Sequence, residues 1–218
     1  MNKSQGGTRL FAQSEWCSAE SLCGTEADII GHPVMAEAFD RVMSAFTPKH
    51  RVAVLSLCTK TRPYSRTRVW SELIASCGDK ADLIATSNGG IIPLEFESEW
   101  PYMTYDAPIG DQTYNDLAVE TLTARMIRFL TTHRYDKVIY LYLPHYRYRR
   151  VPQPVFEATG IPFDLHPTRY LWHRLNSHRR SKKGRSIPRF KVEGFTWYKM
   201  AHPEVMTGVR SSIERETS

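Results

Sequence analysis

A cysteine stands at the end of a short apolar run, directly before a polar loop rich in cations. The loop that follows Cys58 contains Lys60, Arg62 and Arg66. Neighbouring cations and a helix start near Thr67 lower the pKa of a thiol, and a thiolate is a nucleophile. The residues therefore predict a nucleophilic Cys58. The alternative is that Cys58 is a small buried apolar residue, as most free cysteines are.

Two further loops carry residues suited to binding. The loop from Ser87 ends in Gly89 and Gly90, and glycines let backbone N–H groups approach a phosphate or a base; a plain turn explains them equally well. The segment 140–150 interleaves aromatics with arginines, the mixture that stacks on bases and pairs with phosphates. Its first two tyrosines also fit one face of a strand. We assign nucleic-acid binding to the rest of the segment, namely Tyr146, Arg147, Arg149 and Arg150.

Asp106 is a candidate acid or base, because it lies between Tyr105 and Pro108 in a segment that reads as an irregular loop. An aspartate that caps a turn is the alternative. The eight histidines include no HxH or HExxH spacing, so the sequence predicts no metal site and no cofactor.

Charge is distributed unevenly along the chain. The segment 144–191 contains 12 Lys and Arg against two acids, a local charge of +10. The whole chain carries +6, so the remainder carries about −4. This asymmetry predicts a polyanionic partner, with a solubilising tail as the alternative. We assign nucleic-acid contacts in this segment to Arg179, Arg180, Lys182 and Lys183.

Composition excludes several classes of protein. Of the 218 residues, 41% are hydrophobic and 24% are charged, which is typical of a globular protein and not of a disordered chain, collagen or a membrane bundle. No apolar run approaches the roughly 18 residues of a membrane span, and the first residues do not resemble a secretory signal. The four cysteines form no CxxC pair. A reduced cytoplasmic protein that contacts no membrane is therefore expected.

From Arg51 onward, predicted strands alternate with predicted helices. This order predicts a three-layer α/β domain with a mostly parallel central sheet. Ligands of such sheets bind beyond the carboxyl ends of the strands, which selects the loops 58–66, 87–90 and 144–150. We predict a flexible lead over 1–28, the α/β domain over 29–176, and a basic extension over 177–218 that includes a late strand at Phe190–Met200.

The order of motifs resembles that of the archaeosine synthases, relatives of the archaeal tRNA-guanine transglycosylases. The family pattern Pro-Cys-x3-Lys-Pro-Tyr-x2-Ser-x2-His is similar to the segment that begins at Leu57 and Cys58. The resemblance covers roughly residues 29–165. The motifs that carry it are Cys58-x3-Arg62-Pro63-Tyr64-x2-Thr67, Thr86-Ser87-x2-Gly90-x2-Pro93-x3-Glu97 and Trp100-Pro101-x3-Tyr105-Asp106-x-Pro108-x-Gly110.

The resemblance implies a reaction and a set of roles. Archaeosine synthases add an amine, from lysine or another source, to the nitrile carbon of a 7-deazaguanine already placed in tRNA. The resemblance also implies a fold similar to that of uracil-DNA glycosylases. In this chain Cys58 would attack the nitrile and Asp106 would move protons. We assign substrate binding to Arg62, Pro63, Tyr64, Ser87, Gly90, Tyr105 and His145.

Four positions depart from the family pattern: Leu57, Arg62, Thr67 and Trp70 replace its proline, lysine, serine and histidine. The transglycosylase-like portion of the family is not found either, so we expect a free-standing copy that acts with a separate transglycosylase-like or other modification subunit. The alternative function is a non-catalytic subunit that binds RNA or DNA and presents it to a partner enzyme. Base excision would need an acid or water-activating residue that we do not find in the sequence.

Overall fold

A computed structural model describes residues 22–24, 26–59, 61–106, 116–143, 150–177 and 200–217. Within these ranges seven strands and seven helices follow one another along the chain. In order they are β1 (Leu22–Cys23), α1 (Glu26–Ile30), α2 (Pro33–Ala45), β2 (Val52–Leu57), α3 (Arg68–Cys77), β3 (Asp82–Ser87), β4 (Gly90–Pro93), β5 (Tyr105–Asp106), α4 (Asp116–His133), β6 (Lys137–Leu141), α5 (Pro152–Thr159), β7 (Phe163–His166), α6 (Arg169–Ser177) and α7 (Pro203–Thr217).

The central sheet has five strands in the order β4-β3-β2-β6-β7. The pairs β2–β3, β2–β6 and β6–β7 are parallel, and β4 is an antiparallel edge strand on β3. All six residues of β2 are buried, as expected of a central strand covered on both faces. The expectation of a mostly parallel sheet is confirmed.

Two groups of helices cover the sheet. Helix α3 contacts α7, which also packs on β6 and β7, whereas α4 contacts α1, α5 and β4. Helix α3 buries Val69, Trp70, Leu73 and Cys77 on one face and ends at Gly78, whose φ of +55° favours glycine. The fold is therefore the three-layer α/β domain that the alternation of elements predicts.

The described residues within 1–28, where the sequence predicts a flexible lead, form strand β1 and the start of helix α1. Strand β1 pairs in parallel with β5, with Leu22 opposite Tyr105 and Cys23 opposite Asp106. Leu22 is only 1% exposed, and its N–H donates to the carbonyl of Thr104 at 2.8 Å. Tyr105 and Asp106, which the sequence places in an irregular loop, therefore form a strand. A two-residue pairing of segments 83 positions apart leaves no periodic signal in the sequence.

The C-terminal helix α7 belongs to the main core, although the sequence places it in an extension. Its buried residues are Val205, Met206, Val209, Ser212 and Ile213. Gly208 lets the helix approach β7, because a Cβ at Gly208 would lie 2.9 Å from Nδ1 of His166. A shallow cavity of about 600 Å³ lies at this contact. The predicted late strand lies outside the described residues except for Met200, which is buried.

Candidate functional site

The candidate site lies at the carboxyl edge of the parallel strands. Cys58 directly follows β2, and its backbone N–H donates to the carbonyl of Thr86 near the end of β3 at 2.9 Å. Gly90 pairs with Ser87 across the turn from β3 to β4. Cys58 and Gly90 therefore lie at one edge, as the sequence predicts. His145 lies outside the described residues.

Two tyrosines form the buried side of the site. The hydroxyl oxygens of Tyr64 and Tyr105 lie 2.9 Å apart in a hydrogen bond, and both side chains are almost fully buried. The ring of Tyr64 stacks on Trp70, with centroids 6.0 Å apart and an interplanar angle of 25°. Trp70 is completely buried, so it acts here as a packing surface that fixes Tyr64.

Arg62 covers the second tyrosine. Its Cζ lies 3.9 Å from the centroid of the Tyr105 ring, which is a close cation–π contact. Arg62 is half-buried, and its Nε has no hydrogen-bond partner among the described residues. Pro63 follows as the half-buried residue that begins the 3-10 turn Tyr64–Arg66. This turn brings Arg62 and Tyr64 to the same site.

The thiol of Cys58 is less acidic than the sequence predicts. Burial raises its pKa, and this effect outweighs the lowering by Arg62, by a hydrogen bond with Tyr105 and by the backbone of Asn88. The predicted lowering of the thiol pKa is therefore wrong, because the same sheet edge that brings Arg62 near also removes water from the sulfur. Arg66 is exposed, and Lys60 lies outside the described residues. The exposure of Cys58 is intermediate for the residue as a whole, and its side chain packs against the core.

The turn from Ser87 to Gly90 needs both of its glycines. The N–H of Gly89 donates to Oγ of Ser87 at 2.9 Å, and a Cβ at Gly89 would lie 3.2 Å from Cε1 of Tyr105. Gly90 has a φ of +108°, and a Cβ there would lie 3.0 Å from Nη1 of Arg125. The absent side chains let the turn pass between Tyr105 and Arg125. Close packing, in addition to turn formation, explains the glycine pair.

Sequence reasoning missed a carboxylate that holds the site together. Oε2 of the buried Glu97 accepts a hydrogen bond from the backbone N–H of Ser65 at 2.9 Å. Ser65 lies in the 3-10 turn next to Tyr64. Glu97 belongs to a motif read in the sequence, but nothing in the spacing shows that its partner is a backbone N–H 32 residues earlier.

The remaining predicted site residues are Asp106 and the candidate nucleic-acid contacts. The backbone of Asp106 pairs with Cys23, and its side chain lies outside the described part of the structure, so its acid–base role stays a prediction. Arg150 is exposed and forms an ion pair with Asp116 at 2.6 Å. The remaining predicted nucleic-acid contacts lie outside the described residues: Tyr146, Arg147, Arg149, Arg179, Arg180, Lys182 and Lys183.

The described residues contain no group of three or more His, Cys, Asp or Glu side chains that could hold a metal ion. Among the described helices, none is both long and apolar enough to span a membrane.

The family description "Domain of unknown function (DUF5591)" matches residues 36–168, which is more than half of the chain. The chain belongs to the DUF5591 family. The cluster formed by Cys58, Arg62, Tyr64, Ser87 and Tyr105 lies entirely within the DUF5591 match.

One curated relative and one solved structure are similar to this DUF5591 protein. The archaeosine synthase subunit alpha of Thermoplasma acidophilum is 29% identical over 96 residues, which are 42% of this chain and 19% of that protein. The chain therefore matches only a small part of that relative's length. The crystal structure of AF0587, a protein of unknown function, aligns with 81% of this chain and 49% of its own, with a TM-score of 0.54 and 16% identity. This second likeness shows the fold alone.

Proposed function

We propose that this protein modifies a nitrile-bearing 7-deazaguanine in nucleic acid, with tRNA as the favoured substrate, by adding an amine to the nitrile carbon. The observation that carries the proposal is the placement of the Cys58 thiol beside Arg62 and Tyr105 at the carboxyl edge of the sheet. The likeness to an archaeosine synthase subunit alpha supports the substrate.

Each step of the proposed reaction balances without a cofactor. Sγ of Cys58 bonds to the nitrile carbon, one π bond of the nitrile opens, and the thiol proton ends on the nitrile nitrogen to give a thioimide. The amine then bonds to the same carbon, the C–S bond breaks, and a proton from the amine returns to sulfur. The product is an amidine, and no oxidant or reductant is consumed.

The other site residues have binding roles in this proposal. Arg62 and the Ser87–Gly90 turn supply cationic and backbone donors around the substrate, and Pro63 and Tyr64 shape the wall behind the sulfur. The basic segments around Tyr146–Arg150 and Arg179–Lys183 bind phosphates and unstacked bases. The protein acts in the cytoplasm, and the matched relative is named as a subunit, which favours a separate partner subunit.

The test uses tRNA carrying the nitrile base, with lysine and ammonia as amine donors. We expect mass spectrometry to detect the thioimide on the peptide that contains Cys58 and the amidine in the RNA. Cys58→Ser should abolish both products, whereas Cys77→Ser should retain them, because Cys77 is buried in α3. Turnover by Cys58→Ser would show that the nucleophile is wrong.

The alternative function is a non-catalytic subunit that presents nucleic acid to a partner enzyme. The buried Trp70, at the position of the family's histidine, favours it, because the tryptophan supplies no acid or base. In the same experiment, binding of tRNA without adduct or product in the wild type would support this alternative.

A further inference from the structure

The hydroxyl of Tyr105 is the meeting point of the polar groups in the site. It lies 2.9 Å from the hydroxyl of Tyr64, and it also interacts with the side chains of Cys58 and Ser87. The guanidinium of Arg62 lies over the ring of the same residue. Tyr105 therefore contacts a second phenol and a cation, and it interacts electrostatically with the thiol of Cys58.

Burial favours the protonated forms of the Cys58 thiol and of the two phenols near it. Burial raises the pKa of Cys58 and that of Tyr105, in each case by more than Arg62 lowers it. Burial also raises the pKa of Tyr64. A reaction that starts from a neutral thiol has to move the S–H proton as the sulfur attacks, and the residue that moves it must contact the sulfur.

We propose that the hydroxyl of Tyr105 is the catalytic proton relay between the Cys58 thiol and the nitrile nitrogen of the substrate. This inference rests on the proposed function. As the S–C bond forms, the thiol proton passes to Oη of Tyr105, while the original phenolic proton of Tyr105 passes to the nitrile nitrogen. The S–H and one O–H bond break, a new O–H and an N–H bond form, and Tyr105 ends neutral.

The neighbours of Tyr105 suit this role. The cation of Arg62 stabilises the negative charge that develops on sulfur and phenol oxygen during the transfer. Tyr64 holds the Tyr105 hydroxyl through the 2.9 Å hydrogen bond and is itself fixed against Trp70. The relay thus needs neither an ionised thiol nor an ionised phenol at rest, which agrees with the burial of both tyrosines.

The first arm of the test needs no substrate and measures alkylation of Cys58 by iodoacetamide across pH, read by peptide mass spectrometry. Tyr105→Phe removes the hydrogen bond that lowers the thiol pKa, so we expect the alkylation profile to move up by about one to two pH units. Tyr102→Phe is the matched control, since Tyr102 is buried in the same segment and its hydroxyl has no hydrogen-bond partner within the described part of the chain. Cys77 serves as the internal reference, because burial raises its pKa to about 12.

The second arm measures single-turnover thioimide formation on RNA carrying the nitrile base, in H2O and D2O. We expect Tyr105→Phe to slow adduct formation about 100-fold and to lose the solvent isotope effect of the wild type, and Tyr102→Phe to retain both. In case Tyr105→Phe fails to fold, 3,5-difluorotyrosine at position 105 keeps the hydroxyl and makes it more acidic. If the Tyr105 hydroxyl is the relay, this substitution should change the rate of adduct formation several-fold. If the hydroxyl has only a structural role, the rate should not change.

The outcomes separate the relay from the proposed function. If Tyr105→Phe and Tyr102→Phe give the same profiles and rates, the relay is overturned while the thioimide in the wild type still supports the function. If the alkylation profile moves as expected but the wild type forms no thioimide, the proposed function and the nitrile as proton acceptor are both wrong. The only conclusion left would be that the Tyr105 hydroxyl affects the ionisation of the Cys58 thiol.

Discussion

The carboxylate of Glu97 holds the backbone of Ser65: its Oε2 accepts the Ser65 N–H at 2.9 Å, inside the protein. This contact joins the segment after β4 to the 3-10 turn that carries Tyr64.

Removal of this carboxylate is expected to destabilise the fold. Glu97→Ala should lower the free energy of unfolding by about 2 kcal/mol, because it leaves a partly buried N–H without its acceptor. Glu97→Gln keeps an acceptor oxygen and should lose less. The exposed Glu95, whose ion pair with Lys49 spans 3.7 Å, provides the control: Glu95→Ala should stay within about 0.5 kcal/mol of wild type in urea denaturation. Equal losses at positions 95 and 97 would contradict the anchoring role.

A methyl group at Gly90 is expected to be costly for two separable reasons. Gly90→Ala meets both a φ of +108° and the guanidinium of Arg125, so it should destabilise by about 1–3 kcal/mol. Gly78 also has a positive φ, but a Cβ there would have no described residue within 4 Å, so Gly78→Ala reports the cost of a positive φ without a steric contact. The loss of stability from Gly90→Ala should exceed that from Gly78→Ala, and this difference should become smaller when Arg125 is also replaced by alanine. A double-mutant cycle followed by thermal denaturation measures the change. If the difference stays the same without the Arg125 side chain, the contact with Arg125 does not cause the extra destabilisation at Gly90.

Acid is expected to weaken the contact between β7 and α7. Burial lowers the pKa of His166 below its ordinary 6.5, more than Asp164 raises it, and Arg215 lowers it further. The unfolded chain therefore binds more protons than the folded chain below pH 6.5, so the stabilising contribution is complete above this pH and is lost as the pH falls toward the folded pKa.

The measurement is the free energy of unfolding between pH 7.5 and pH 5, for wild type and His166→Gln. The glutamine can still bond to Ser212, whose Oγ lies 3.0 Å from Nε2 of His166. We expect wild type to lose about 1 kcal/mol more than His166→Gln over this range. His173 is exposed, and His173→Gln should follow wild type. If the wild-type and His166→Gln curves run parallel, His166 contributes nothing to the pH dependence.

The basic segment is expected to govern the salt dependence of RNA binding. Each phosphate contact releases condensed cations, so replacing Arg179, Arg180, Lys182 and Lys183 with serine should weaken binding to tRNA broadly and flatten the plot of log affinity against log salt concentration. The charge-matched control replaces four exposed cations elsewhere with serine, namely Lys49, Lys80, Arg134 and Arg210. If the salt titration of the variant at Arg179, Arg180, Lys182 and Lys183 overlays that of wild type, the basic segment only increases solubility and does not bind RNA.

The sequence predicts those parts of the fold that follow from local patterns. The apolar run that ends at Leu57 identifies a strand before Cys58, and the helical spacing of apolar residues through Leu73 identifies a helix after it. Because ligands bind at the carboxyl ends of parallel strands, the sequence then predicts that Cys58 and Gly90 lie at the same edge of the sheet. The structure confirms this placement. Helix α7 also has a readable signal, because Val205, Val209 and Ile213 recur every four residues.

What the sequence could not supply depends on distant contacts. The net acidity of Cys58 is a balance between the nearby Arg62 and the loss of water, and the depth of burial is a property of the folded sheet. The pairing of the Tyr64 and Tyr105 hydroxyls likewise joins residues 41 positions apart. Both follow from packing, so residue types and spacing alone predict the participants and not their arrangement.

The pairing of β1 with β5 bears on how this protein can be shortened for biochemistry. A chain cut to residues 36–168 would retain Cys58, Arg62 and Tyr105, yet it would lose Leu22, which holds the strand of Tyr105, and all of α7. We therefore expect the smallest autonomous folding unit to be larger than the matched segment 36–168. A trimmed fragment would carry the chemical groups without the scaffold that sets their distances, and its inactivity would say nothing about the intact protein.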